Sequence, residues 1–218
     1  MDILETDAYD RRQRRHSSSV KSGPVLSLAA LVLVYNGGKT FWGVAAGLVF
    51  SACGDCCLIW PELFLHGMAA FGVAHLLYSL SFLSDRYTSL SSSTTALFMS
   101  VILWLAGAGV YFYLLPFLQK RPDSAVLVPS TGVYLVLIIA MATLAMHTKR
   151  PLTVLGGLSF IISDLALSLQ VFKVIDPLEN GRAIIMTTYY LAQLLIALGD
   201  IKAGSDWEGD RLGKMKRM

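Results

Sequence analysis

The stretch TFWGVAAGLVFSACGDCCLIW occupies residues 40–60 and, apart from Asp55, carries no charged residue. A second stretch, PLTVLGGLSFIISDLALSLQVF at residues 151–172, repeats this pattern around Asp164. About 20 apolar residues are needed for a helix to cross the hydrocarbon core of a bilayer. A carboxylate facing lipid at that depth is strongly disfavoured, so each acid marks a functional site by default.

The rest of the chain has the same apolar character. Of 218 residues, 55% are hydrophobic and only 15% are charged, with a mean hydropathy of +0.58. This composition excludes an ordinary soluble domain. Basic residues cluster near both ends of the chain, which suits an anionic membrane surface better than nucleic acid. We therefore predict an all-α, polytopic membrane helix bundle that binds no nucleic acid.

Seven apolar segments are separated by short polar breaks. They lie near residues 23–35, 40–60, 63–84, 96–118, 125–146, 151–175 and 182–200. Six are long enough to span a bilayer, whereas the first, of about 13 residues, is too short. The prediction is six long spans plus one short N-terminal apolar helix that is interfacial, partly inserted or the remains of a longer hairpin. The transmembrane bundle then covers 23–200, between a disordered basic cytoplasmic tail at 1–22 and a basic cytoplasmic tail at 201–218.

The basic residues also predict an orientation. If the first segment does not cross, 14 lysines and arginines lie on the side of both tails and 4 on the other, whereas seven crossings give 9 and 9. The positive-inside rule then places the C-terminus in the cytoplasm. The last five residues, 214–218, match the K-x-K-x-x retrieval pattern of endoplasmic reticulum membrane proteins, which favours that membrane as the location.

Several polar side chains are predicted to share the half of the membrane away from the C-terminal tail. Helices rise about 1.5 Å per residue, so Asp55 lies about 7 Å and Asp164 about 16 Å inside the ends of their segments. The helices that follow run the other way and bring further polar residues to the same half, namely His66, Thr187, Thr188, Tyr189 and Tyr190. His75 and Gln193 lie deeper, near the middle of the membrane. For each acid alone, the alternative stays open that it only forms hydrogen bonds between helices.

Familiar metal and nucleophile motifs do not occur. The sequence has no H-x-x-x-H, H-x-x-E-H or H-E-x-x-H pair for zinc and no G-x-S-x-G elbow for a serine hydrolase. Cys53, Cys56 and Cys57 have C-x-x-C spacing but lack a partner pair, so they are interpreted as core filler. The available chemistry is two carboxyls, hydroxyls and an imidazole, and no cofactor or metal is expected.

Four motifs, taken together, resemble the YhhN-like lysoplasmalogenases. They are SACGDCCLIW at 51–60, HGMAAF at 66–71 with HLLY at 75–78, Ser163-Asp164, and IMTTYY at 185–190 with AQLL at 192–195. The resemblance implies an integral membrane hydrolase that cleaves the vinyl ether bond of lysoplasmalogens. Its products would be a fatty aldehyde and glycerophosphocholine or glycerophosphoethanolamine. Members of that family usually begin with one more transmembrane helix, whereas here the match starts around Lys21.

On this interpretation the partners are the lysoplasmalogen substrate and membrane lipids. Asp55 and Asp164 would act as proton donor and as stabilising carboxylate, in an order that stays open. His75 would tune one acid or bind phosphate, and Arg182 would bind phosphate or snorkel to the interface. Hydrogen bonds to the ether oxygen or to water would come from Tyr189, Tyr190 and Gln193.

Two alternatives remain from the sequence. Paired intramembrane acids are also typical of a proton-coupled transporter. A catalytically silent homologue that binds lipid is the other alternative. The sequence predicts neither the oligomeric state nor the headgroup and chain preference.

Overall fold

The computed structural model describes residues 21–36, 42–87, 94–175 and 180–216, and the regular structure within these ranges is entirely helical. This confirms the predicted all-α class. The described ranges contain seven α-helices, which are in chain order α1 (Lys21–Tyr35), α2 (Gly43–Cys57), α3 (Phe64–Phe82), α4 (Thr94–Gln119), α5 (Ser124–His147), α6 (Pro151–Val171) and α7 (Gly181–Met215). Short 3-10 turns, Pro61–Leu63 and Asp85–Tyr87, lie at the two ends of α3.

Five helices, α3 to α7, are long and apolar enough to cross a membrane, which confirms the polytopic bundle. The segment 40–60 was predicted as a sixth long span but forms the 15-residue helix α2. Pro61 explains its early end, because the residue before a proline is pushed out of the helical region. Trp60 indeed has extended backbone angles, with φ −106° and ψ 114°.

Helix α1 is hydrogen-bonded to other helices near both of its ends. At its start, the Ser22 hydroxyl donates a hydrogen bond to the carbonyl of Ala52 near the end of α2 (3.2 Å). At its finish, the Asn36 amide donates to the Asp200 carboxylate in α7 (2.8 Å). We call these two ends of the bundle the Lys21 end and the Asp200 end. Successive helices alternate in direction between them, so α1, α3, α5 and α7 all start at the Lys21 end.

This path corrects the assumption behind the predicted orientation. The first apolar segment was expected to leave both chain termini on one side, but Lys21 and the end of α7 lie at opposite ends of the bundle. The physical reason is packing: α1 is short, yet it is seated among longer helices through the buried residues Val25, Ala29 and Val32. The count of 14 against 4, which placed both tails on one side, therefore does not apply to this path, and seven crossings would give 9 against 9.

Helices α6 and α7 approach closely where Gly156 faces α7. A Cβ atom on Gly156 would lie 3.0 Å from the backbone nitrogen of Ile196 and 3.2 Å from the carbonyl oxygen of Ala192. Small residues allow this kind of backbone approach between membrane helices. It sets the register of α6 on α7 and hence the depth at which Asp164 faces its neighbours.

Helix α5 is central, because it packs on α3, α4 and α6, whereas α4 lies at the edge. Large apolar side chains on α4, such as Leu105 and Phe112, are about two-thirds exposed and face outward. Helix α7 continues to Met215, so most of the segment predicted as a C-terminal tail is helical. The N-terminal tail prediction falls largely on residues 1–20, which lie outside the described residues.

Candidate active site

Asp55 and Asp164 line the same cavity, of about 160 Å³, near the Lys21 end of the bundle. Its walls come from the start of α1, the end of α2, the start of α3, the middle of α5, the second half of α6 and the start of α7. The two carboxylates therefore converge, although 108 residues separate them in the sequence. Lys21, at the mouth of this cavity, brings a cation to the same space.

Asp55 is buried among neighbouring side chains. Its side chain is 7% exposed, and one carboxylate oxygen accepts a hydrogen bond from the Tyr189 hydroxyl at 2.8 Å. The preceding Gly54 is needed for space, because a Cβ there would lie 2.6 Å from the ring of Phe71. That ring packs edge-on against Tyr189. The Gly54-Asp55 pair thus lets an aromatic ring close over the carboxylate.

Asp164 is held by a different pair of groups. The Tyr134 hydroxyl of α5 donates a hydrogen bond to one Asp164 oxygen. His75 Nε2 lies 3.1 Å from the Tyr134 oxygen and 3.8 Å from that same Asp164 oxygen. Tyrosine, histidine and aspartate therefore form a compact polar triangle contributed by α3, α5 and α6. The His75 side chain is fully buried, as the inner support of this triangle.

Aromatic rings in mutual contact link the surroundings of the two acids. Phe160 stacks edge-on against His75, with ring centres 4.7 Å apart, and against Tyr189 at 5.7 Å. Phe71 contacts both Phe160 and Tyr189. Edge-to-face packing of this kind fixes ring orientation. The hydroxyl of Tyr189 is therefore aimed at Asp55 by rings that also position His75.

A second polar network lies deeper in the bundle. Tyr78 donates a hydrogen bond to the side-chain oxygen of Gln193 at 2.8 Å, and the Ser51 hydroxyl is 3.3 Å from the Tyr78 oxygen. All three residues are buried, and Gln193 does not line the cavity of the acids. Gln193, predicted to bind the ether oxygen or water, therefore sits one layer behind Tyr189.

Two other predicted residues lie nearer the Lys21 end. Tyr190 does not line the cavity, and its hydroxyl donates to the backbone carbonyl of Lys21 at 3.1 Å, so it anchors α1. Arg182 is exposed at the second residue of α7. The Lys21 ammonium is close enough to interact electrostatically with both Arg182 and Asp55.

The remaining candidates lie elsewhere. His66 is exposed while His75 is buried, in agreement with the opposite faces expected for residues nine apart on a helix. Within the described ranges, no group of three or more histidine, cysteine, aspartate or glutamate side chains could hold a metal ion.

Sequence reasoning missed Tyr134 and Lys21. Tyr134 is a single hydroxyl in the otherwise apolar run YLVLIIAM of α5, and this isolation at mid-helix is the signal that could have marked it. Lys21 was assigned to the N-terminal tail because the first apolar segment starts just after it. Its place at the cavity follows only from the path of α1.

We expect Tyr134→Phe to weaken the activity of the site without unfolding the bundle. Loss of a hydroxyl that donates to a carboxylate removes a charge-assisted hydrogen bond, and a change of about tenfold to a hundredfold in turnover is expected. Steady-state kinetics in detergent or liposomes measures it. Tyr113→Phe, on the exposed face of α4, is the matched control and should leave turnover unchanged. Equal effects in the two variants would remove Tyr134 from the site.

Comparison with known proteins identifies relatives along most of the chain. The YhhN family model matches residues 17–199. Lysoplasmalogenase TMEM86B of Sus scrofa is 37% identical over 182 residues, covering 82% of this chain and 73% of the relative. Lysoplasmalogenase TMEM86B of Homo sapiens is 37% identical, covering 84% and 75%. Lysoplasmalogenase TMEM86A of Homo sapiens is 33% identical, covering 91% and 83%. No solved structure matches the chain.

Proposed function

Because the chain belongs to the YhhN family, we propose that it is a membrane lysoplasmalogenase that hydrolyses the vinyl ether bond of lysoplasmalogens. The observation that carries the proposal is the shared cavity of Asp55 and Asp164. Two carboxyls in different surroundings are what acid-catalysed cleavage through a cationic intermediate requires. The products are a fatty aldehyde and glycerophosphocholine or glycerophosphoethanolamine.

The reaction starts with proton transfer to carbon. One carboxylic acid gives its proton to the β-carbon of the vinyl ether, the double bond supplies the electron pair, and an oxocarbenium ion forms. The second carboxylate stabilises this cation and orients a water molecule, whose oxygen bonds to the α-carbon while its proton passes to a carboxylate. The hemiacetal then collapses: its hydroxyl gives its proton to the ionised carboxylate, its C–O bond to glycerol breaks, the protonated carboxyl gives a proton to the glycerol oxygen, and the aldehyde leaves.

The hydrogen-bonding residues fit positioning roles in this scheme. Tyr189 donates a hydrogen bond to Asp55. Tyr134 donates one to Asp164, and His75 lies beside both of these residues. Each carboxyl is therefore positioned by different neighbours. The aromatic rings around them keep bulk water out, which strengthens electrostatic stabilisation of the cation. Behind Tyr189, Gln193 accepts a hydrogen bond from Tyr78 and so fixes the position of that ring.

Lys21 and Arg182 are the residues we assign to the phosphate of the lysolipid. Both are cations at the Lys21 end, on the side of the cavity from which a headgroup would enter. Lys21→Gln and Arg182→Gln should each raise KM for lysoplasmalogen by about threefold to tenfold, with kcat changed less, because the phosphate does not react. Lys173→Gln, an exposed lysine that follows α6, is the control. A fall in kcat with unchanged KM would contradict the assignment.

The test of the function is aldehyde release from lysoplasmalogen by the purified full-length protein. A saturated alkyl-ether lysolipid is the matched control, because it lacks the double bond that accepts the proton. The proposal predicts aldehyde from the first substrate and none from the second. No aldehyde from either would favour the other two candidates, a proton-coupled transporter or a silent lipid-binding homologue. Proton-driven uptake into proteoliposomes separates those two.

We further propose that the protein resides in the endoplasmic reticulum with its C-terminus in the cytoplasm. The K-x-K-x-x pattern at 214–218 supports this, since such signals are recognised on the cytoplasmic side. The site near the Lys21 end would then face the lumenal half of the bilayer. Accessibility of a C-terminal epitope after selective permeabilisation of the plasma membrane tests the orientation, and an epitope reached only after full permeabilisation would overturn it.

A further inference from the structure

A second cavity, of about 170 Å³, adjoins the cavity of the acids on the other side of Asp164. It lies between α4, α5 and α6, and its wall is mainly aliphatic. Four polar residues, Thr131, Tyr134, Asp164 and Ser168, line both cavities. The polar side chains of the second cavity therefore lie where it borders the first. The exception is Tyr111, whose hydroxyl donates a hydrogen bond to the backbone carbonyl of Val128.

The α4 wall of this second cavity follows one face of the helix. Its lining residues run from Leu103 through Ala106 and Val110 to Leu114, at intervals of three or four residues. Spacing of that kind places side chains on a single stripe. The first and last are eleven positions apart, which is about 16 Å along the helix axis. The cavity thus extends along the axis of α4.

The deep part of the cavity points away from the cationic mouth. Leu103 on α4 and Ile139 on α5 lie towards the Asp200 end, whereas Lys21 lies at the opposite end of the bundle. A lysolipid in a membrane has the same polarity, with its phosphate at the surface and its chain towards the bilayer centre. From the Lys21 end inward, the protein presents a cation, then the two carboxylates, then the aliphatic cavity. A lysolipid presents its phosphate, then its vinyl ether, then its hydrocarbon chain in the same order.

We propose that the cavity between α4, α5 and α6 holds the alkenyl chain of the lysolipid and selects its length, with the chain leaving the vinyl ether past Asp164 and Tyr134. This inference rests on the proposed function. The chain begins at the carbon that accepts the proton, so its cavity must adjoin a carboxyl, and Asp164 is the wall that the two cavities share. Deep side chains such as Leu103 then set how much chain fits.

A groove between α3 and α5, of about 410 Å³, is the competing place for the chain. It reaches Tyr134, but neither Asp55 nor Asp164 lines it. The groove adjoins the cavity of the acids at Met68 and Tyr134, so a chain there would leave that cavity on the side away from the wall formed by Asp164. Ala69 lines this groove and provides a direct test of the alternative.

The test compares three identical substitutions with long-chain and short-chain lysoplasmalogens, for example octadecenyl and decenyl. Ala106→Phe narrows the proposed cavity, Ala69→Phe narrows the α3–α5 groove, and Ala108→Phe adds the same ring to an exposed position of α4 outside the cavity. Ala106→Phe should lower kcat/KM for the long chain relative to the short chain by about tenfold or more. The other two variants should keep the wild-type ratio.

Several outcomes would overturn the proposal. They are an unchanged ratio in Ala106→Phe, or a changed ratio in Ala69→Phe alone. Leu103→Ala, which enlarges the deep end, should shift the preference towards longer chains, and a shift towards shorter chains would also count against it. Binding of saturated alkyl-ether lysolipids of matched lengths, measured by competition, reports on the cavity without turnover. A failure of the function itself would appear instead as no aldehyde from the wild type.

Discussion

Asp55→Asn and Asp164→Asn are each expected to lower kcat for aldehyde release by about a thousandfold, within the range by which a positioned acid or base accelerates a reaction. An amide has nearly the same size as a carboxyl but neither gives up a proton nor carries the negative charge that stabilises an oxocarbenium ion. Because the two side chains line one cavity, each substitution removes half of a single catalytic unit. Aldehyde release in a coupled dehydrogenase assay measures the loss.

The folding of these variants must be checked separately. Tyr189 and Tyr134 can still donate hydrogen bonds to the amide oxygens, so thermal unfolding in detergent should shift little. The double variant should be only slightly less active than either single variant, as for residues that act as one unit. Asp85→Asn, an exposed carboxylate at the Asp200 end, is the control and should retain full turnover. Near-normal activity of either active-site variant would refute the two-carboxylate scheme.

Asp200→Ala is expected to destabilise the bundle by about 3–5 kcal/mol, because it leaves a buried cation without its carboxylate. Asp200 is 1% and Arg86 4% exposed, with 3.6 Å between Arg86 Nη1 and the Asp200 carboxylate. The same carboxylate accepts hydrogen bonds from Asn36 (2.8 Å) and Tyr87 (3.1 Å). One side chain thus connects α1, the turn after α3, and α7.

Thermal and chemical unfolding of the purified protein measure this loss of stability. Asp206→Ala breaks an ion pair of 2.8 Å with Arg150, but Asp206 is 53% exposed, so a change below about 1 kcal/mol is expected. The double variant Arg86→Met with Asp200→Leu should recover much of the stability, since it removes both buried charges. Equal losses of unfolding free energy in Asp200→Ala and Asp206→Ala would show that the buried network does not stabilise the Asp200 end.

The amino-acid sequence predicted the membrane class and the helical bundle because hydropathy is a local property of each segment. It also singled out Asp55 and Asp164, since an acid in an apolar run is conspicuous without any knowledge of its neighbours. The length of α2 was overestimated, because the effect of Pro61 on the preceding residues was not weighed against hydropathy.

The site residues that were missed depend on contacts between distant segments. Tyr134 is an ordinary membrane-helix residue until α5 is placed against α6, where its hydroxyl meets Asp164. Lys21 resembled part of a tail until α1 was seated along the bundle. The ion pair between Arg86 and Asp200 is not visible in the sequence, which shows two charges near helix ends but not their burial against one another.

The sequence by itself determined that the protein is a membrane helix bundle and that two of its acids sit where acids are costly, since both follow from the transfer of side chains from water to lipid. The tertiary structure decided that those acids share one cavity, which groups support each of them, and that α1 runs from the Lys21 end to the Asp200 end. Burial energy alone does not specify which helix faces meet. That choice depends on the packing of surfaces shaped by residues such as Gly54 and Gly156.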